Sequence, residues 1–164
     1  MSTGDRSYAA ELSGRVSGAG KRFAVVAARF NGNVTEPLLH NVVACLTEHG
    51  ADVKAVEVHR VPGAWELPQA CARLARDRRH DAVIALGCLI RGETAHFDVI
   101  AHEVARGLGA IALETGIPVA FGVLTTETEK QAVDRADPKR GNKGREVALA
   151  ALEMAELFGR LNSG

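Results

Sequence analysis

From Arg22 onward the chain switches between two hydrophobic periods. FAVVAARF (23–30) is an almost unbroken apolar run, the pattern of a strand buried on both faces. TEPLLHNVVACLTEHG (35–50) changes to the helical period. Leu38, Leu39, Val42, Val43 and Leu46 share one face, Thr35 serves as cap, Pro37 suits the first turn, and Gly50 ends the helix. DVKAVEVHRV (52–61) predicts a second strand, Val61-Pro62-Gly63 a turn, and ELPQACARLARD (66–77) a helix. AVIALG (82–87) predicts a third strand, followed by a long helix from near Ala95 to Glu114 that Gly116-Ile117-Pro118 stops. PVAFGVLTT (118–126) is the fourth strand. A short helix over 127–135 and a longer one over about 144–160 flank the break DPKRGNKG (137–144). Residues 1–20 are rich in Gly and Ser, have no periodicity and read as a tail, leaving 21–164 as one domain.

Near-continuous apolar strands alternating with amphipathic helices predict an α/β fold, a parallel sheet covered on both faces, with right-handed crossovers. Ligands of such sheets bind beyond the carboxyl ends of the strands. Those ends carry Arg29-Phe30-Asn31, Pro62 to Glu66, Gly87 to His96, and Thr125-Thr126, so any site is expected among these loops.

Composition narrows the function classes. Lys+Arg and Asp+Glu both number 20, so the formal net charge is zero, which argues against nucleic acid or an anionic membrane as partner. No stretch approaches the ~20 apolar residues of a membrane helix, and the N-terminal MSTGDRSYAAELSGRVSGAGK lacks the apolar core of a secretory signal. Cys45, Cys71 and Cys88 are odd in number and widely spaced, which suits a reducing, cytoplasmic setting.

GCLIRGET (87–94) has the Gly-x-x-x-x-Gly spacing of a P-loop, but Glu93 stands where the phosphate-clamping Lys would be. A strand, a Gly-flanked loop and a helix start suit a single phosphate, with Arg91 as counter-charge; the plainer reading is a tight strand-to-helix turn. A metal site is not expected: His102-Glu103 begins an H-E-x-x-H that Arg106 breaks, and the other histidines are scattered. His96, in the first turn after the presumed phosphate loop, is placed for proton transfer near neutral pH. Every serine lies in the tail or at position 163, so no Ser triad is available. Cys88 at a strand-to-helix elbow, paired with His96, would make a nucleophile, against the plainer reading of a small buried thiol. Phe30 and Trp65 lie just past strand ends, as core packing or as a stacking surface for a flat heterocycle, and Glu66 beside them can accept hydrogen bonds from sugar hydroxyls.

RFN (29–31), VPGAWELP (61–68), LGCLIRGETAHFD (86–98), FGVLTTET (121–128), the RAD around Arg135 and GNKG (141–144) together resemble the 6,7-dimethyl-8-ribityllumazine synthase family from about residue 22 to 160. The resemblance implies a three-layer αβα sandwich, flavodoxin-like, with a four-stranded parallel sheet, and a segment near 14–22 that adds a strand to a neighbouring subunit. It implies condensation of 5-amino-6-(D-ribitylamino)uracil with L-3,4-dihydroxy-2-butanone 4-phosphate to the lumazine, phosphate and water, a transferase step of riboflavin biosynthesis with no cofactor. The nucleophile is the substrate's amine, which fits a chain without a convincing one of its own. Carried over position by position, Phe30 and Trp65 meet the ring, and Asn31, Ala64 and Glu66 the pyrimidine and ribityl groups. Cys88, Leu89 and Ile90 line the pyrimidine end, where Thr and Val are familiar at 88 and 89. Glu93 and Thr94 fall at the phosphate and His96 at the proton-transfer position. Phe121, Arg135 and Lys143 match groups that reach into a neighbour's site, with Arg135 on the phosphate.

The same resemblance implies homopentamers, and the short DPKRGNKG connection is similar to that of members in which twelve pentamers close into a sixty-subunit icosahedral shell; riboflavin synthase is the candidate protein partner. Two other classes stand beside this reading. One is a Cys-dependent hydrolase or amidotransferase using Cys88 and His96. The other is a non-catalytic flavin- or lumazine-binding module.

Overall fold

A computed structural model describes residues 16–163. Strands β1 (Phe23–Ala28), β2 (Val56–Val61), β3 (Ala82–Ile90) and β4 (Val119–Thr126) alternate with helices α1 (Gly32–Glu48), α2 (Leu67–Arg76) and α3 (His96–Thr115), and α4 (Glu129–Ala136) and α5 (Lys143–Ser163) follow. All strand pairs are parallel and the sheet order is β2-β1-β3-β4, the αβα arrangement of a flavodoxin-like fold.

Side-chain alternation splits the core into two layers. Phe23, Val25 and Ala27 of β1, with Ile84, Leu86 and Cys88 of β3, pack with α1, α4 and α5. Ala24, Val26 and Ala28, with Val83 and Ala85, pack with α2 and α3 on the other face. Because β1 and β3 are buried on both faces, they read as continuous apolar runs. Gly144, at the start of α5, is where that helix crosses α1: an added Cβ would lie 2.8 Å from the Leu38 carbonyl oxygen.

The structure moves several sequence-based boundaries. Helix α1 starts three residues before the expected Thr35 cap. Its N-cap is Asn31, in the left-handed region at φ 60°, and Thr35 is fully buried inside the helix with no hydrogen-bond partner for its hydroxyl among the described residues. Pro37 therefore sits inside the helix rather than in its first turn. The second strand is shorter than expected because Val53–Ala55 form a 3-10 turn with the Asp52 side chain accepting from the Lys54 N–H. The third strand is longer: it runs through Gly87 to Ile90, so Cys88 is a strand residue and not a turn after it. Helix α4 begins after Thr128, which makes a capping box with Gln131.

Of the tail expected over 1–20, residues 1–15 lie outside the described residues. Gly18 is buried against Ala51, and its N–H donates to the His49 carbonyl at 2.8 Å. Of the strand expected near 14–22, residues 14 and 15 lie outside the described residues, and none of 16–22 is in a strand of this chain.

Candidate active site

Strand β1 pairs with β3 only as far as Ala27↔Leu86, whereas the β3–β4 ladder continues to Ile90↔Thr126. Past Leu86, β3 has no neighbour on its β1 side. The chain leaves β1 toward β2 and crosses back toward β3, so this is the topological switch point of the sheet, where the carboxyl ends open a crevice. A cavity of about 640 Å³ occupies it.

One wall comes from the β1 and β2 exits. Backbone bonds from the Arg29 N–H to Val61 O (2.8 Å) and from the Phe30 N–H to Pro62 O (3.0 Å) carry the pairing past both strand ends. The chain then turns through a 3-10 turn at Ala64–Glu66. The result sets Phe30, 69% exposed, and Trp65, 49% exposed, on the same cavity lining, with Ala64 buried between the turn and the sheet. Asn31 fixes this wall to β3: its Nδ2 donates to the Cys88 carbonyl at 2.9 Å. The left-handed backbone at Asn31, tolerated by Asn better than by most residues, is what turns the chain directly from strand into helix.

The opposite wall is the entry to α3. The N-cap Ala95 provides no side-chain cap, so first-turn N–H groups and the positive end of a 20-residue helix face outward beside the cavity. Thr94 Oγ1 accepts the His96 N–H at 3.3 Å, which orients the hydroxyl and leaves its proton available to a ligand. Thr94 and His96 both line the cavity and are exposed. Arg91 does not serve as a free counter-charge. Its guanidinium is held by Asp98 and Glu127 and lies 4.5 Å over the Phe97 ring, and the same guanidinium holds the Asp98 carboxyl below its ordinary range.

The structure thus brings together Phe30, Asn31, Ala64, Trp65, Glu66, Leu89, Ile90, Thr94 and His96. Glu93 is exposed and off the lining. Cys88 is 2% exposed and, by strand alternation, points into the α1/α5 layer, away from the α3 side where His96 begins its helix. Burial, aided by the Glu129 charge, pushes its thiol up to about 11. A Cys88–His96 nucleophile pair is therefore not built. Phe121 lies instead in an apolar depression of about 350 Å³ between β4, α3 and α5, and Arg135 and Lys143 share a third depression of about 230 Å³ with Leu124, Gly141 and Glu146. In one chain these three residues stand apart from the cleft.

Gly63 and Gly92 line the cavity from loops where the site is expected, whereas Phe97, Val99 and Ile100 lie beyond those loops and are lining residues that the sequence does not single out. Val99 and Ile100 carried a usable signal, since they follow His96 by three and four residues and so share its helix face. Among the described residues no group of three His, Cys, Asp or Glu side chains is placed to hold a metal ion, and no helix is long and apolar enough to cross a membrane.

Residues 20–159 match the family described as 6,7-dimethyl-8-ribityllumazine synthase. A protein of that name from Chlorobium phaeobacteroides is 49% identical over 148 residues, covering 90% of this chain and 96% of the relative. Proteins of the same name from Desulfotalea psychrophila (48% over 150 residues, 92% and 97% covered) and Aquifex aeolicus (48% over 145 residues, 88% and 94% covered) are similarly related.

Proposed function

Because the chain belongs to the 6,7-dimethyl-8-ribityllumazine synthase family, we propose that it condenses 5-amino-6-(D-ribitylamino)uracil with L-3,4-dihydroxy-2-butanone 4-phosphate in the β1/β3 crevice. The observation that carries this assignment is a single cleft with aromatic side chains on one wall and, facing them, an uncapped helix start bearing Thr94 and His96.

The pyrimidine stacks on Phe30, with Trp65 beside it and Leu89, Ile90 and Ala64 as the apolar floor. Asn31 Oδ1 and Glu66 accept hydrogen bonds from ribityl hydroxyls. Cys88 contributes indirectly, through the carbonyl that anchors Asn31. The phosphate of the four-carbon substrate sits at the α3 N-terminus, receiving the Thr94 hydroxyl proton and backbone N–H groups. Glu93 contributes its backbone there while its side chain points outward.

The 5-amino nitrogen attacks the ketone carbon. Loss of water gives the imine, the C–O bond to phosphate breaks as a carbon-bound proton leaves, and the ribitylamino nitrogen closes the ring with loss of a second water. His96 moves protons at the carbonyl oxygen and the adjacent carbon. Such a site accelerates mainly by holding two reactants in register, with ~10²–10⁴-fold added by one acid–base group.

The cation for the phosphate comes from a second copy of this chain. Arg91 is already engaged, while Arg135 and Lys143 lie in their own depression and Phe121 on an apolar face where Leu113 is 89% exposed. Docking these faces against a neighbour's cleft completes the site in a homo-oligomer, a pentamer and, through the short 137–142 connection, a sixty-subunit shell. The setting is cytoplasmic, and riboflavin synthase, which consumes the product, is the protein partner. Fluorescence of newly formed lumazine tests the assignment: it should appear with both substrates and with neither alone. Absence of product from both, with riboflavin still bound, would favour a binding module instead.

A further inference from the structure

Every polar part of the Arg91 side chain is engaged just off the cleft, whose lining includes its neighbour Gly92 and the Phe97 ring it stacks on. Nη1 and Nη2 donate to the two oxygens of Asp98 at 3.0 and 3.1 Å, a bidentate fork, and Nε donates to Glu127 at 3.1 Å. The flat face of the guanidinium lies 4.5 Å over the ring of Phe97, which lines the cavity. Its backbone N–H donates to the carbonyl of Thr126, the last residue of β4, at 2.9 Å. Asp98 belongs to the first turn of α3, and Glu127 to the connection between β4 and α4. One residue therefore joins three segments: the end of β3, the α3 turn that carries His96, and the β4 exit.

Resting on the condensation reading above, we propose that Arg91 is a positioning residue for the phosphate-bearing substrate, which fixes the first turn of α3 and cancels carboxylate charge beside the anion site. The three side chains, Arg91, Asp98 and Glu127, carry a net charge of minus one; without Arg91 they carry minus two next to a phosphate dianion. Phe97 sits between His96 and Asp98 in sequence, so the stack and the fork hold the residues on both sides of it and with them the direction of the imidazole. The ion pairs are 39–63% exposed, and exposed pairs contribute little to global stability. The loss of Arg91 is therefore read in kinetics and not in unfolding. Lysine is not an equivalent, since it has neither the fork nor the flat face.

The test uses the full-length protein in its assembled form and varies each substrate in turn. Arg91→Ala should raise KM for the butanone phosphate about ten-fold, the size expected when a screened charge beside an anion site is uncovered, with less than about a two-fold change for the pyrimidine and a lower kcat. Adding Asp98→Asn and Glu127→Gln to Arg91→Ala should bring that KM back to within about three-fold of wild type, because the uncovered charge is gone, and should leave kcat depressed, because the turn is still unanchored. Arg91→Lys should recover KM more than kcat, and it carries the comparison if Arg91→Ala does not fold. Equal KM changes for both substrates, or failure of the carboxylate replacements to restore KM, overturns the inference. A wild-type protein that makes no lumazine defeats the functional assignment, whereas an active wild type with unaltered Arg91→Ala kinetics defeats this inference alone.

Discussion

Asn31 performs two tasks that two substitutions can separate. It holds a left-handed backbone at φ 60°, ψ 45°, and its amide bridges to the Cys88 carbonyl on β3. Alanine removes both: the left-handed region costs an ordinary L-residue about 1–2 kcal/mol, and a half-buried carbonyl that loses its donor costs roughly another 1 kcal/mol where water reaches it. Glycine loses the same amide but adopts φ 60° freely, at about 0.5–1 kcal/mol of added unfolded-state entropy. Asn31→Ala should then be less stable than Asn31→Gly by about 0.5–1 kcal/mol, although alanine is the larger residue and glycine the poorer one in most folded positions. Urea unfolding at one fixed protein concentration measures the difference, since assembly makes apparent stability concentration-dependent. Activity should not follow the same order: both variants lose the proposed ribityl contact, so KM for the pyrimidine should rise by a similar factor, about ten-fold. If Asn31→Ala proves as stable as Asn31→Gly, the left-handed strand-to-helix turn is not what positions this wall.

His96→Ala should lower kcat by about 10²–10⁴-fold without abolishing turnover, if the proposed acid–base group is lost while the alignment of substrates remains; a wild-type rate would remove the proton-transfer role. Arg135→Ala should weaken the butanone phosphate far more than the pyrimidine in steady-state kinetics, and equal weakening would count against a phosphate contact. Cys88 should resist iodoacetamide at pH 8, since with a folded pKa of about 11 only about one thiol in 10³ is ionised. Because the folded pKa lies above the unfolded one, the stability contributed by the neutral thiol is fully present below about pH 9 and is lost as pH rises from about 9 to about 11, where the unfolded chain gives up its proton first. Cys88→Ser should flatten that part of a stability-versus-pH curve, and an unchanged curve would assign the loss to other groups.

The sheet was legible in the sequence because β1 and β3 are buried on two faces, giving apolar runs too short for helices and set between helical periods. Residues at the strand exits were legible for the same reason: the parallel sheet places Phe30, Trp65 and His96 at one edge whatever the details between. What misled was local. Thr35 has the chemistry of a cap, but Asn31 takes that place by entering a backbone region that no hydrophobic pattern reveals. Gly87 looked like the end of a strand, yet it pairs with Val123 inside one, because its missing Cβ accommodates Leu67 at 3.0 Å. That error put Cys88 in a loop beside His96, whereas two-residue alternation sends it through the sheet to the other layer. The contacts of Arg91 depend on Asp98 and Glu127 coming together from separate elements, which pattern alone does not supply. Phe121, Arg135 and Lys143 enter only through family motifs, and nothing in the periodicity or the fold of one chain connects them with the cleft.

On the proposed reading two chains build each lumazine-forming site, one giving His96 and the other Arg135. His96→Ala and Arg135→Ala subunits, each nearly inactive at low butanone phosphate, should be dissociated, mixed in equal amounts and reassembled. If neighbours supply the two residues, random assortment makes about one quarter of the sites intact, and lumazine fluorescence should rise well above the average of the two parents. A mixture no more active than that average, alongside a fully active reassembled wild type, would contradict the shared site.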